Sequence, residues 1–79
     1  MRLDKFLKVS RLIKRRSVAN EACDAGRVWV NGVTAKASTK VKIGDLIEIQ
    51  FGTKTVKAEV LGIQDTTKKE EAKELFRYL

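Results

Sequence analysis

The 31 residues from Arg2 to Gly32 hold eight of the chain's 17 basic side chains: Arg2, Lys5, Lys8, Arg11, Lys14, Arg15, Arg16 and Arg27. The same stretch carries three acids, Asp4, Glu21 and Asp24. Basic residues at this density are suited to gripping anionic oxygen, and an arginine fork can hold two phosphate oxygens at once. Covalent chemistry has little to work with. The sequence has no histidine and one cysteine, Cys23, so neither a Ser–His nor a Cys–His pair can form. The carboxylates make no persuasive acid–base pair, and the glycines do not form a Walker-type phosphate loop. The chain is expected to bind rather than catalyse, with no cofactor and no metal.

A net charge of +7 on 79 residues points to a polyanionic partner: RNA, DNA or an anionic membrane surface. Because the charge is clustered, solubility alone is a weaker account of it. A content of 43% hydrophobic residues at regular spacing argues against disorder, although 34% are charged. The length suits one domain, which buries only about 60% of its unfolded surface. A lone cysteine rules out an internal disulfide and suits a reducing, cytoplasmic location. No apolar run approaches the roughly 18 residues of a membrane span, and basic residues interrupt the N-terminal segment where a signal peptide would be apolar. A monomer with no membrane partner is expected.

The elements that must position the cations follow from periodicity. Leu3, Phe6, Leu7 and Ile13 form one apolar helical arc, with Ser10 inside it. Asp4, Lys5, Lys8 and Arg11 form the opposite, wet arc. As a first-turn acid, Asp4 suits the helix dipole and can pair with Lys8 at i+4, which is the simpler expectation. The alternative is that it orients a neighbouring arginine or accepts a hydrogen bond from a nucleotide. Lys14, Arg15 and Arg16 make a basic elbow. Ser17 is the expected N-cap of a second helix over about Val18 to Ala25, with Val18, Ala19, Ala22 and Cys23 facing inward and Gly26 ending it. Three cations at a helix start favour phosphate binding over a merely solvated loop.

Beyond the helices the pattern turns to strands: Arg27 to Val30, a short piece near Val33 to Ala35, Leu46 to Phe51 and Thr55 to Leu61. Asn31-Gly32 is the strongest turn signal. Trp29, the sole tryptophan, suits packing ahead of base stacking. Thr67 with Glu70 fits a capping box. The tail to Leu79 reads as a helix with Ala72, Leu75, Phe76 and Leu79 on one side. Residues 1–65 are expected to form the domain, and 66–79 a helical extension that is not a separate domain.

One spaced combination is more specific than its parts: Arg2-Leu3-Asp4, Arg11, Arg15-Arg16-Ser17, Ala19, Gly26 through Gly32, and Gly44-Asp45. In these residues the sequence resembles the S-four-type RNA-binding domain, or αL motif, over Arg2 to about Ile49. The resemblance implies an α+β fold: two short N-terminal helices on a small, mostly antiparallel sheet, plus a C-terminal helix. Because nearly the whole chain is this domain, it is most similar to free-standing ribosome binders, notably those of ribosome-associated quality control. That implies binding to the large subunit carrying peptidyl-tRNA, through large-subunit rRNA and tRNA. It also implies support of C-terminal alanine tailing beside an RqcH-type NEMF-family factor. An rRNA-binding ribosomal or assembly factor, or an accessory subunit of an RNA-modifying enzyme, is the alternative. By resemblance the RNA-contacting positions are Arg2, Asp4, Lys5, Arg11, Lys14, Arg15, Arg16 and Ser17, with Lys8 on the same strip. Arg27 and Asn31 follow less firmly, since the Asn-Gly turn has a sufficient structural role.

Overall fold

The computed structural model describes residues 1–65 and 68–79. In chain order it has α1 (Leu3–Val9), α2 (Arg16–Asp24), β1 (Val28–Val30), β2 (Val33–Thr34), β3 (Leu46–Phe51), β4 (Lys54–Val60), α3 (Lys69–Ala72) and β5 (Phe76–Tyr78). Among the described residues the strands form one antiparallel sheet in the order β2-β1-β3-β4-β5. The fold is α+β, as the resemblance implied.

The apolar arc of α1 drives the packing. Leu3, Phe6 and Leu7 are fully buried against Ala19 and Cys23 of α2 and against Val28, Ile47, Ile49 and Val60 of the sheet. Helix α1 is shorter than its apolar arc suggests. It stops at Val9, and Ile13 reaches the core from the turn that follows. Arg11 adopts φ +63 there, the left-handed conformation that usually ends a helix at glycine. Buried Ser10 fits the apolar arc because its hydroxyl donates to the Leu7 carbonyl and accepts from the Leu12 N–H.

The first two amides of α1 are met by backbone rather than by a side chain. Leu3 N–H donates to Thr39 O (2.7 Å) and Asp4 N–H to Ala37 O (3.1 Å), while Val41 N–H donates to Met1 O (2.9 Å). The β2–β3 connection thus wraps the start of α1. It is held by Asn31, at φ +52 in the tight β1–β2 turn with Gly32 at +81. The Asn31 Nδ2 donates to Asp45 Oδ1, and its Oδ1 accepts from the Leu46 N–H.

Helix α2 begins two residues earlier than expected. Arg15 stands at the N-cap, and Ser17, already inside the helix, makes no cap. Arg16 joins the helix, where its side chain finds an acid on α1, while Lys14 stays in the turn. The C-terminus ends as the glycine predicts. Gly26 (φ +73) donates to Cys23 O, and Arg27 N–H to Ala22 O, closing the last turn. The Cys23 thiol is buried among apolar side chains. That burial, with the charges of Asp4 and Asp24, pushes it up to about 11.

The tail departs from the expected long helix. Among its described residues only Lys69–Ala72 is helical, and Phe76–Tyr78 is a strand paired with β4. The helical spacing of Ala72, Leu75, Phe76 and Leu79 loses to the open edge of β4, whose unpaired backbone groups the tail satisfies. Leu75 becomes a core residue and Arg77 pairs with Glu59 at 2.6 Å, whereas Leu79 is exposed. The proposed Thr67–Glu70 capping box lies outside the described residues. Trp29 packs outside the core, half-buried on the far face of the sheet opposite Thr34 and Glu48.

Two outcomes are expected. Leu75→Ala should cost about 3 kcal/mol, read as a melting temperature lowered by more than about 10 °C in circular dichroism. Unchanged melting would show that the tail is not integral. Cys23 should resist a chromogenic disulfide reagent at pH 8 in the native chain and react at once in denaturant.

Candidate nucleic-acid interface

The cationic residues of the two helices are organised by one carboxylate. Asp4 sits in the first turn of α1, and its side chain is only 2% exposed. It accepts from Arg2 (Nε to Oδ1 3.2 Å, Nη2 to Oδ2 3.3 Å), from the Lys5 backbone N–H at 2.8 Å and from Asn20 Nδ2 at 3.2 Å. Arg16 approaches from α2, with Nε 3.3 Å from Oδ2 and Nη2 3.4 Å from Oδ1. The expected Asp4–Lys8 pair is replaced by this set. The packing of α2 on α1 covers Asp4, so the residue assigned to the wet arc is enclosed, and Lys8 remains in solvent.

Burial alone would raise the Asp4 carboxyl. The hydrogen bond from Arg16, the Lys5 amide and the charges of Arg16 and Arg2 outweigh it and hold the group below its ordinary value. Both guanidiniums stay half in solvent, with side-chain exposures of 51% for Arg2 and 46% for Arg16. A guanidinium has five N–H donors. Each arginine turns its Nε–Nη2 side to Asp4, leaving the other N–H groups to face outward. The result is two cations from different elements, fixed side by side on one acid.

The other expected site residues are placed as follows. Lys5 reaches Asp65 at 3.3 Å in an exposed pair. Lys8 and Arg15 are exposed and have no ion-pair partner among the described residues. Ser17 is exposed on the first turn of α2 beside them. Arg11 and Lys14 lie on the turn between the helices, beside α3 and β5. Arg27 follows the opposite end of α2 from Arg16, about 13 Å of helix away. Asn31 gives both atoms of its amide to Asp45 and Leu46. The cluster on Asp4 therefore brings together Arg2, Asp4, Lys5 and Arg16, but not Arg27 or Asn31. Sequence reasoning missed Asn20. Its signal was its spacing: Asn20 is four residues after Arg16, on the same face of α2, and asparagine is a poor helix former in mid-helix.

A helix pair presenting fixed arginines above a small antiparallel sheet defines a class, and residues 1–47 match the family model of the S4 domain. The chain belongs to the S4 domain family. Its relatives narrow the comparison. It is 57% identical to a Bacillus subtilis protein described as "RQC P-site tRNA stabilizing factor", over 79 residues that make up 100% of this chain and 92% of the relative. A Streptococcus pneumoniae protein of the same description is 53% identical over 79 residues, 100% of this chain and 90% of that one. Among solved structures, the trimeric Vibrio cholerae Heat Shock Protein 15 superposes with a TM-score of 0.91 at 35% identity, covering 100% of this chain and 81% of the other.

The buried carboxylate carries a prediction with a definite sign. Because its folded pKa is depressed, Asp4 contributes stability that is complete above the ordinary aspartate value of about 3.9. That contribution is lost as pH falls through the lower, folded value. Carbon-13 NMR titration should place the Asp4 carboxyl below the ordinary aspartate value. Asp4→Asn should cost about 1–3 kcal/mol near neutral pH, with the difference from the parent narrowing in acid. A pH-independent difference would show that charge plays no part.

Proposed function

We propose that the chain is a non-enzymatic RNA-binding factor that seats on the large ribosomal subunit carrying peptidyl-tRNA. The observation that carries this reading is the pair of half-exposed guanidiniums held on Asp4. A pair fixed in this way suits phosphates at set positions on a folded RNA. In A-form RNA the base edges of the deep groove are out of reach, so recognition rests on shape, phosphate and 2′-OH. Lys5, Lys8, Arg15 and Ser17 extend the contact around the pair, and Asp4 acts as a positioning residue rather than as an RNA ligand. The relatives described as stabilizing P-site tRNA support large-subunit rRNA and P-site tRNA as the two partners.

In this reading the factor works in the cytoplasm as a monomer. It clamps rRNA and peptidyl-tRNA together and holds the complex competent for C-terminal alanine tailing by an RqcH-type NEMF-family factor. Residues 1–65 carry this helix-pair contact, and the tail braces the sheet edge. Among the described residues no helix is long and apolar enough to cross a membrane.

Filter binding to purified large subunits carrying peptidyl-tRNA tests the reading. Arg2→Ala and Arg16→Ala should each lower affinity at least tenfold, the value of one charge-assisted hydrogen bond of about 1.5 kcal/mol. Arg16→Lys should recover little, since lysine lacks the fork. Unchanged affinity for both alanine variants would overturn the proposed face.

A further inference from the structure

A second basic surface lies where the helix layer stops short of the β5 edge of the sheet. The turn after α1, helix α3 and strand β5 enclose an open groove of about 690 Å³, within the range that holds one small ligand. Arg11 and Lys14 line it from the turn, Lys69 from α3, Lys73 from the cap that ends α3, and Phe76 and Tyr78 from the strand. None of Arg2, Asp4, Arg16 and Asn20 lines it.

Three features set this groove apart from a solvated surface. Its lining holds no acid, although Glu70, Glu71 and Glu74 are on or next to α3. Among the described residues Arg11, Lys14, Lys69 and Lys73 have no ion-pair partner, while Arg77, also at the groove, is taken by Glu59. Lys69 and Lys73 stand four residues apart at one helical turn, where like charges oppose each other. Arg11 occupies a left-handed position that glycine would hold without strain. The turn after α1 and the α3 region thus bring cations together on both sides of the groove. Between them stands an aromatic pair. The Phe76 and Tyr78 rings meet edge to face, with centroids 5.0 Å apart at 85°. Phe76 is half-buried and holds Tyr78, which is 67% exposed.

Cations alone fit any anion, and an exposed aromatic ring alone fits any flat or apolar group. The two together fit a nucleotide, whose base has a face to stack and whose flanking phosphates need countercharge. A base paired in a duplex has both faces covered by its neighbours, so the occupant must be unpaired. We propose that this groove takes an unpaired nucleotide of single-stranded RNA, with the base on Tyr78 and the adjoining phosphates on Arg11, Lys14, Lys69 and Lys73. The inference rests on the RNA-binding reading above for its class of ligand, but not on the Arg2–Arg16 face. Lys69, Lys73, Phe76 and Tyr78 are thereby part of an RNA contact that the N-terminal charge pattern does not disclose.

Fluorescence anisotropy with a fluorescein-labelled adenine hexaribonucleotide and the full chain tests this. Tyr78→Ala should weaken binding about tenfold, the loss of one stacked base, and Tyr78→Phe should restore it. Arg11→Gly should weaken binding while melting no lower than the parent, which separates the lost cation from damage to the fold. Titration of the hexamer should shift amide signals of the turn after α1, α3 and β5. Hexamer affinity unchanged by Tyr78→Ala would overturn the groove, as would shifts confined to Arg2, Arg16 and Asn20. So would equal competition by hexaglutamate or by a 12-base-pair RNA duplex. The two readings fail separately. If Arg2→Ala and Arg16→Ala both keep their affinity for large subunits while Tyr78→Ala loses the hexamer, the Arg2–Arg16 face falls and the groove stands; the reverse pattern removes the groove alone.

Discussion

A carboxylate taken out of water must find donors or stop being charged, and Asp4 finds them in three places. Arg2 comes from just before α1, the Lys5 amide from within it, and Arg16 and Asn20 from successive turns of α2. Each of these bonds fixes where α2 can lie on α1. Losing a partner of a fully buried pair can cost about 3–5 kcal/mol. Here both arginines are about half exposed, so water recovers much of that cost on the cationic side. The arrangement therefore contributes more to geometry than to stability. It sets the spacing of two guanidiniums that would otherwise repel each other.

The same carboxylate ties the helices to the sheet. The Asp4 amide donates to Ala37 and the Leu3 amide to Thr39, so the residue whose side chain gathers the cations is itself held by the β2–β3 connection. That connection depends in turn on Asn31, which bonds Asp45 and Leu46 across the start of β3. Asn31 thus influences the arginines through backbone placement alone. The first three α1 amides are already occupied, by the Thr39 and Ala37 carbonyls and by the Asp4 carboxylate.

Much of this was legible in the sequence because it is local. The pattern of Leu46 to Phe51 marked a strand, Asn31-Gly32 forced a tight turn, and Gly26 ended α2 where a left-handed residue was needed. The charge clustering pointed to the helix pair, where Arg2 and Arg16 meet on one acid. What stayed hidden depends on the approach of distant segments. A helical wheel for α1 puts Asp4 beside Lys5 and Lys8 and cannot know that α2 will cover it. Asn20 is an ordinary helix residue until Asp4 is opposite. The tail has helical spacing, yet an unpaired β4 edge outweighs propensity, and no local signal reports the state of an edge formed by residues 54–60. For the same reason the groove beside Tyr78 has no sequence signature. Its cations come from positions 11, 14, 69 and 73, which only the closure of β5 brings together.

The two basic surfaces differ in how much freedom their cations retain, and this bears on what each can read. Ordering a long side chain on binding costs about 0.5–1.5 kcal/mol. For Arg2 and Arg16 much of that loss has already occurred on folding, because Asp4 holds both forks. Such a pair discriminates by distance and angle, and a phosphate spacing that does not match gains little. Lys14, Lys69 and Lys73 carry no such restraint, so they can follow a flexible strand as it bends, while Tyr78, braced by Phe76, supplies the one fixed surface. Rigid cations suit a rigid, helical RNA, and mobile cations around a rigid ring suit an unpaired strand. The division follows from the position of a single acid: Asp4 lies within reach of the first surface, and no acid lines the second.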